Sequence, residues 1–346
     1  MPDSYTTRTL VGVLGGLDRP QLFLLDTFFP DLALFDTETV DFDKLDRMTG
    51  LAPFVSPLKA GTPVAARGAS VESFTPAYVK PKNELDASRP LRRRPGERFA
   101  GAMSASERRD LALVDLLEDQ YMRVLRRKEW MASAALRTGA VTVEGEGFPA
   151  QSVNFGRASG LTKALLTSAR WGESGVSPLD DVQTWADEVA TTSGASATTV
   201  VMDPKAWALF RKDPQVAALL DYRYARSTEV ELGPVARGEG QWATYVGSVG
   251  QFDVWTYSQP YTNEDGTAGN MMPDYTVILG GRGVEAGVAG YQAHGAIKDP
   301  RAGYQPLEIY PKSWIEDDPA VEWVMSQSAP LVIPARPNAS LCATVR

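Results

Sequence analysis

The chain has 346 residues, with 43 acidic against 35 basic side chains and a formal net charge of −8. That length supports a large core and two or three domains or subdomains, and the 43% hydrophobic, 23% charged composition argues against a chain disordered throughout. The acidic balance argues against a protein whose main task is to grip nucleic acid, because phosphate binding needs concentrated Lys and Arg. Cys342 is the sole cysteine, which rules out an intrachain disulfide and fits a reducing compartment. His294 is the sole histidine, so the usual structural zinc sets cannot form. No stretch reaches the roughly 20 apolar residues of a membrane span. Met1 to Gly16 lacks a basic flank leading into an apolar run, so the chain is expected to act where it is made, in a cytoplasm.

In chain order, residues 1–50 mix short apolar groups with Gly, Pro and Asp and predict an extended arm with a short helix at most. The cluster Leu22, Phe23, Leu24, Leu25, Phe28 and Phe29 is too apolar to stay in water and must pack on its own body or on a neighbour. From Leu51 to Leu91, Pro53, Pro57, Pro63, Pro76, Pro81 and Pro90 forbid a long helix. The strand-like pieces Phe54–Ser56, Pro63–Ala66 and Ser73–Lys80, with a turn at Arg67–Ser70, predict a long hairpin that needs a partner surface.

Ser104 and Glu107 then read as a capping box. Apolar residues recur at Leu111, Val114, Leu117, Tyr121, Val124, Met131 and Ala135, the spacing of one helical face. The opposite face carries Asp115, Asp119, Arg123 and Arg127, with Asp119 and Arg123 placed to pair, and Gly139 supplies a stop. The result is a helix of roughly 34 residues and about 50 Å, the length of a strut. Ala140–Gly145 reads as a strand and turn, and Gly156–Gly175 as a loop. Residues 178 to about 280 predict a mixed α/β module: helix Asp180–Thr192, strand Thr198–Met202, a short helix capped by Asp203-Pro204, strand Val249–Tyr257, a loop tip at Asn263–Gly266 and strand Thr276–Leu279. Glu322–Gln327 and Leu331–Ile333 are strand-like.

Catalytic signatures fail their context. Ile278–Glu285 runs a strand into Gly280, Gly281 and Gly283, but the next glycine falls at Gly287 and no helix or βαβ unit frames it, so a turn is the simpler reading than a nucleotide cofactor site. No phosphate loop, nucleophile elbow or His-Glu-x-x-His is present. Asp180-Asp181 and Asp317-Asp318 look like helix starts or solvated turns. Arg92-Arg93-Arg94 is a compact basic cluster better suited to an ion-pair contact with an acidic neighbour than to nucleic acid, since no aromatics interleave it. No cofactor, metal or catalytic residue is expected. An apolar arm, a projecting hairpin, a strut helix and an α/β module together point to a protein whose partners are copies of itself.

Several runs carry a family resemblance in the same order along nearly the full length. They are Phe23–Pro30, Phe54–Pro57 with Arg67-Gly68, Ser73–Lys82, Leu91–Arg93, Val143–Gly147 with Gly156-Arg157, and Asp203–Arg211. Further on come Pro273-Asp274, Val277–Gly280, Tyr310–Trp314, Asp318-Pro319 and Gln327–Leu331. The chain resembles the major capsid proteins of lambda-like tailed phages, a branch of the Hong Kong 97-type capsid superfamily. The resemblance implies an α+β fold with an N-terminal arm (1–50), an extended E-loop (51–93), a peripheral domain (94–177) holding a spine helix at about 104–138, and an axial domain (178–280). The chain would then return to the peripheral domain (281–332) and end in a tail (333–346).

It further implies hexamers and pentamers of an icosahedral shell around double-stranded DNA, built through an expanding procapsid. The implied partners are a scaffolding protein and a portal, and some relatives also carry a trimeric decoration protein, with no membrane and no sequence-specific DNA binding. Some superfamily members cross-link an E-loop Lys to an Asn; Lys59 and Asn338 exist here, but lambda-type relatives are not expected to use that chemistry. On this reading Arg67, Arg92 and Arg93 are candidates for intersubunit ion pairs, and Phe28, Phe29, Phe74 and Tyr78 for apolar anchors. Two alternatives remain open: an encapsulin-like compartment, and a nucleotide-cofactor enzyme using the Gly280–Gly283 turn.

Overall fold

A computed structural model describes residues 5–20, 22–45, 69–93, 97, 103–145, 148–221, 242–263, 265–283, 287–303, 306–318 and 320–346. The organising element is a helix of 34 residues, Ala105–Thr138, here α3. Its ends are set by local chemistry. The Ser104 side chain accepts from the Glu107 N–H while the Glu107 carboxylate accepts from the Ser104 N–H, and Gly139 closes the other end in the left-handed region at φ 69°. Asp119 and Arg123 pair on the exposed face at 2.8 Å.

Before α3 come two short helices, α1 (Thr7–Gly15) and α2 (Phe23–Phe28), and strand β1 (Asp31–Leu34). Strands β2 (Val40–Leu45) and β3 (Ala69–Phe74) form an antiparallel pair in which Val40 faces Phe74. This pair is not the predicted one: it uses Val40–Leu45 from the segment read as an arm, and Ala69 and Ser70, read as part of a turn, begin β3, while the predicted strands at 54–56 and 63–66 lie outside the described residues. The run Ser73–Lys80 is not one strand: after β3 the chain makes a single bridge from Val79 to Ser328 and resumes pairing in β4 (Lys82–Asp86).

After α3, β5 (Ala140–Gly145) and β6 (Phe148–Asn154) form a hairpin. The stretch read as a loop holds a short strand, β7 (Thr162–Ala164). The α/β module follows in the predicted order. Helix α4 (Pro178–Ser193) leads to β8 (Thr199–Met202), then to α5 (Pro204–Phe210), whose N-cap Asp203 accepts from the Lys205 and Ala206 N–H groups. β9 (Leu220–Asp221), β10 (Ala243–Val249) and β11 (Phe252–Tyr257) come next. The run Val249–Tyr257 thus contains a two-residue turn rather than one strand, with Gly250 at φ 59° supplying the positive φ that tight hairpins require. β12 (Pro260–Thr262) and β13 (Ala268–Asn270) flank the loop tip, and β14 (Thr276–Gly280) and β15 (Gly290–His294) follow. β16 (Tyr310–Asp317), β17 (Ala320–Gln327), β18 (Pro330–Pro334) and β19 (Ser340–Thr344) end the chain.

Three sheets carry the architecture. The largest has seven strands in the order β7-β19-β14-β8-β11-β10-β9. The segment read as a tail therefore supplies β19, which pairs with β14 on one side and β7 on the other. Ser340 to Ala343 are all buried, so both faces of this strand are covered. β1-β15-β18 form a second sheet and β16-β17-β4 a third. Helix α3 bridges two apolar cores. Its N-terminal half (Ala112, Leu113, Leu116, Leu117) packs with Leu10, Leu85 and Val324. Its C-terminal half (Met131 to Leu136) joins the main core with the seven-stranded sheet.

Candidate assembly interface

The face that α3 turns inward is not wholly apolar. Gln120, Lys128, Glu129 and Ser133 are fully buried, and each is satisfied by a different part of the chain. Gln120 donates to the Asn83 side chain and the Val324 carbonyl, both at 2.9 Å, and accepts from Ser326 at 2.8 Å, which ties α3 to β4 and β17. The Glu129 carboxylate accepts from the Leu24 and Leu25 N–H groups at 2.9 Å and from the Tyr257 hydroxyl at 2.6 Å. Helix α2 has no side-chain cap of its own, so Glu129 serves as its distant N-cap. Burial pushes the Glu129 pKa up against the pull of these three donors. Ser133 donates to the Met271 carbonyl.

Lys128 donates to Glu308 at 2.6 Å and lies 3.5 Å from the His294 ring. Burial lowers the Lys128 pKa; burial and the neighbouring ammonium together drive His294 down to about 3, so its ring is neutral. Burial would raise Glu308, but the Lys128 charge overrides it and holds the carboxyl below its usual range. Each such group is costly to bury alone and specific once paired, so the stripe fixes one register of α3 against its surroundings. Sequence reasoning missed it because a helical period assigns polar residues to solvent.

The predicted contact residues separate into two groups. Phe28 and Phe29 are 2% and 0% exposed inside this chain's own core, together with Leu24 and Leu25. Four such side chains contribute on the order of 6–12 kcal/mol of transfer free energy as an upper estimate, so they are not anchors for a neighbour. Gly280 and Gly290 create their space: a Cβ on Gly280 would lie 2.9 Å from the Phe28 ring, and one on Gly290 would lie 2.2 Å from the Phe29 ring. The Gly280–Gly283 string therefore has a packing reason at its first position. Phe74 is half-buried against the main core. Tyr78 donates to the Ala296 carbonyl at 2.7 Å and accepts from the Lys298 N–H at 3.0 Å, which holds it to its own chain.

Arg92 and Arg93 are exposed at the surface. Arg93 also donates to the Glu97 carbonyl, so part of its capacity is used locally. Arg67 and Lys59 lie outside the described residues. Asn338 accepts from the Ala158 N–H at 2.8 Å. Cys342 is buried in β19, and burial pushes its thiol up to about 11, which makes it inert. Among the described residues no group of three or more His, Cys, Asp or Glu is placed to hold a metal ion, and no helix is long and apolar enough to cross a membrane.

Comparison with known proteins agrees with this architecture. The chain is 32% identical over 341 residues to the major capsid protein of Escherichia phage lambda, covering 96% of this chain and 97% of the relative. The same figures hold for the major capsid protein of Escherichia phage N15. Among solved structures, a presumed prophage capsid protein of E. coli CFT073 superposes with a TM-score of 0.75 at 23% identity, covering 99% of both chains. A phage-related protein of Bordetella bronchiseptica RB50 superposes with a TM-score of 0.54 at 13% identity, covering 97% of this chain and 96% of that one. The fold is the Hong Kong 97-type mixture of helix and sheet. The family model described as phage major capsid protein E matches residues 6–345, and the chain belongs to that family of major capsid proteins.

Proposed function

We propose that this chain builds a phage head as its repeating subunit, forming hexamers and pentamers of an icosahedral shell around double-stranded DNA. The observation that supports this best is family membership across residues 6–345, in a chain whose long helix links two separate cores. Function on this reading is geometry: a strut held in one register keeps the β16-β17-β4 sheet and the seven-stranded sheet at a fixed spacing. No catalytic step is assigned to the chain. Assembly in the host cytoplasm around a scaffolding protein, with a portal at one vertex, expansion on DNA packaging and a trimeric decoration protein outside, completes the proposal.

Arg67, Arg92 and Arg93 are the proposed intersubunit cations. Each subunit is expected to bury well above about 2,000 Å² against several neighbours, the range of obligate assemblies. Sedimentation of the chain co-expressed with its scaffolding protein tests this. Particles of hundreds of subunits are expected; a uniform dimer or tetramer contradicts it.

A further inference from the structure

The outer face of the β16-β17-β4 sheet is graded in charge. Strand pairing places three side chains abreast in each row. Lys312, Met325 and Lys82 form the first row, Trp314, Trp323 and Glu84 the second, and Glu316, Val321 and Asp86 the third. The β16–β17 turn adds Asp317 and Asp318, both exposed. The face thus passes from cation through paired tryptophans to anion over four residues of strand, about 13 Å. The opposite face of the sheet is occupied: Leu85 and Val324 pack with α3, and Ser326 bonds to Gln120.

The two tryptophans are held for contact rather than for the core. Both are half-buried, and neither joins the apolar clusters formed by the described residues. The Lys82 ammonium lies 3.5 Å from the Trp323 ring centroid and 5.1 Å from that of Trp314, while Lys312 lies 5.6 Å from Trp314 and also pairs with Asp299 at 2.8 Å. The Trp323 indole donates to Glu316 at 2.7 Å, which fixes the ring. Lys80 extends the cationic end, with its ammonium 4.6 Å from the Tyr78 ring centroid. Rigid, well-held tryptophans are what contact centres between proteins use, and the surrounding lysines supply the charge that orients a partner. Ile315, 45% exposed, pairs across from Glu322 and belongs to the opposite face of the sheet, so it takes no part in this gradient.

We propose that this face docks a second copy of the chain head to tail, with the Asp317-Asp318 turn of one copy seated on the Lys80, Lys82, Trp314 and Trp323 end of the next. The chain carries both complementary halves, and a heterologous contact between identical copies requires two different patches on each copy. The inference rests on the shell-subunit reading and adds a specific contact to it.

Three variants test it in the full chain, co-expressed with the same scaffolding protein and scored by sedimentation for particle yield. Lys80→Glu with Lys82→Glu places like charges against the acidic turn, as does Asp317→Lys with Asp318→Lys on the opposite patch. Each double variant is expected to lower shell yield at least tenfold, with a cooperative thermal transition retained in the unassembled protein. The chain carrying all four changes restores opposite charges and is expected to recover most of the yield. Wild-type yield from either folded double variant, or no recovery in the fourfold variant, overturns the contact and leaves the shell reading intact. Absence of particles from the wild-type chain overturns both.

Discussion

Phe28 and Phe29 are buried because two glycines on other strands yield room to them, so the fit can be disturbed from either side. A methyl on Gly290 would meet the Phe29 ring at 2.2 Å and the Phe28 carbonyl oxygen at 2.5 Å. Overpacking of this kind costs about 1–3 kcal/mol. Gly290→Ala is therefore expected to lower the denaturant midpoint with little change in slope; an unchanged midpoint contradicts the packing assignment. His294 gives a second test. Its folded pKa of about 3 lies below the ordinary 6.5, so the unfolded chain binds the proton more readily in between. The neutral ring contributes its full stability above pH 6.5, and that contribution is lost as pH falls toward 3. The loss is at most about 1.4 kcal/mol per pH unit. Lys128, Glu308 and Ser328 face the ring, and Glu129 titrates in the opposite sense nearby in the fold. The comparison is therefore between wild type and His294→Gln. The variant is expected to lose less stability between pH 7 and 4, and identical acid slopes would contradict the account.

At the scale of elements, the long helix is held by polar bonds as much as by apolar packing. Glu129 joins α3 to α2 and to β11 at once. Glu129→Ala leaves the Leu24 and Leu25 N–H groups and the Tyr257 hydroxyl without that acceptor, a cost of at least about 2 kcal/mol. Hydrogen exchange at Leu24 and Leu25 is expected to accelerate more than exchange in the centre of α3; uniform acceleration would mean that Glu129 does not cap α2. How legible each element was in sequence follows from the same physics. The bounds of α3 could be read to the residue because Ser104, Glu107 and Gly139 act locally. Strands β8, β11 and β14 of the module were legible from β-branched runs, while β9, β10, β12 and β13 gave no such signal. Three further features were also hidden. The β10–β11 turn hides in an alternating run because Gly250 interrupts no pattern. The last strand, β19, depends on partners over sixty residues away in β14 and nearly two hundred away in β7. The buried Lys128 and Glu129 look like solvent-facing helix residues until their partners at 308 and at 24, 25 and 257 are known.

At the scale of the whole molecule, the chain joins two cores through one strut. The fold and the family were readable before the structure because the matching runs keep their order; the contact residues were not. Apolar residues in the arm satisfied one another and the chain's own sheet, which sequence composition cannot distinguish from cover by a neighbour. Arg92 remains an exposed proposed contact just after the short 3-10 helix Arg89–Leu91, whose Leu91 is 75% exposed. Arg92→Glu is expected to reduce shell yield several-fold while the folded protein keeps its melting temperature within about 2 °C, since surface changes away from packed features cost little. Wild-type yield would remove Arg92 from the interface.

The central claim is that this chain closes into a shell with copies of itself. Negative-stain electron microscopy of the purified protein, co-expressed with the proposed scaffolding protein, tests that most directly. The account predicts closed particles of uniform diameter, with tubes or capsomer rings where closure fails. A field of small, discrete oligomers with scaffolding protein present would contradict it.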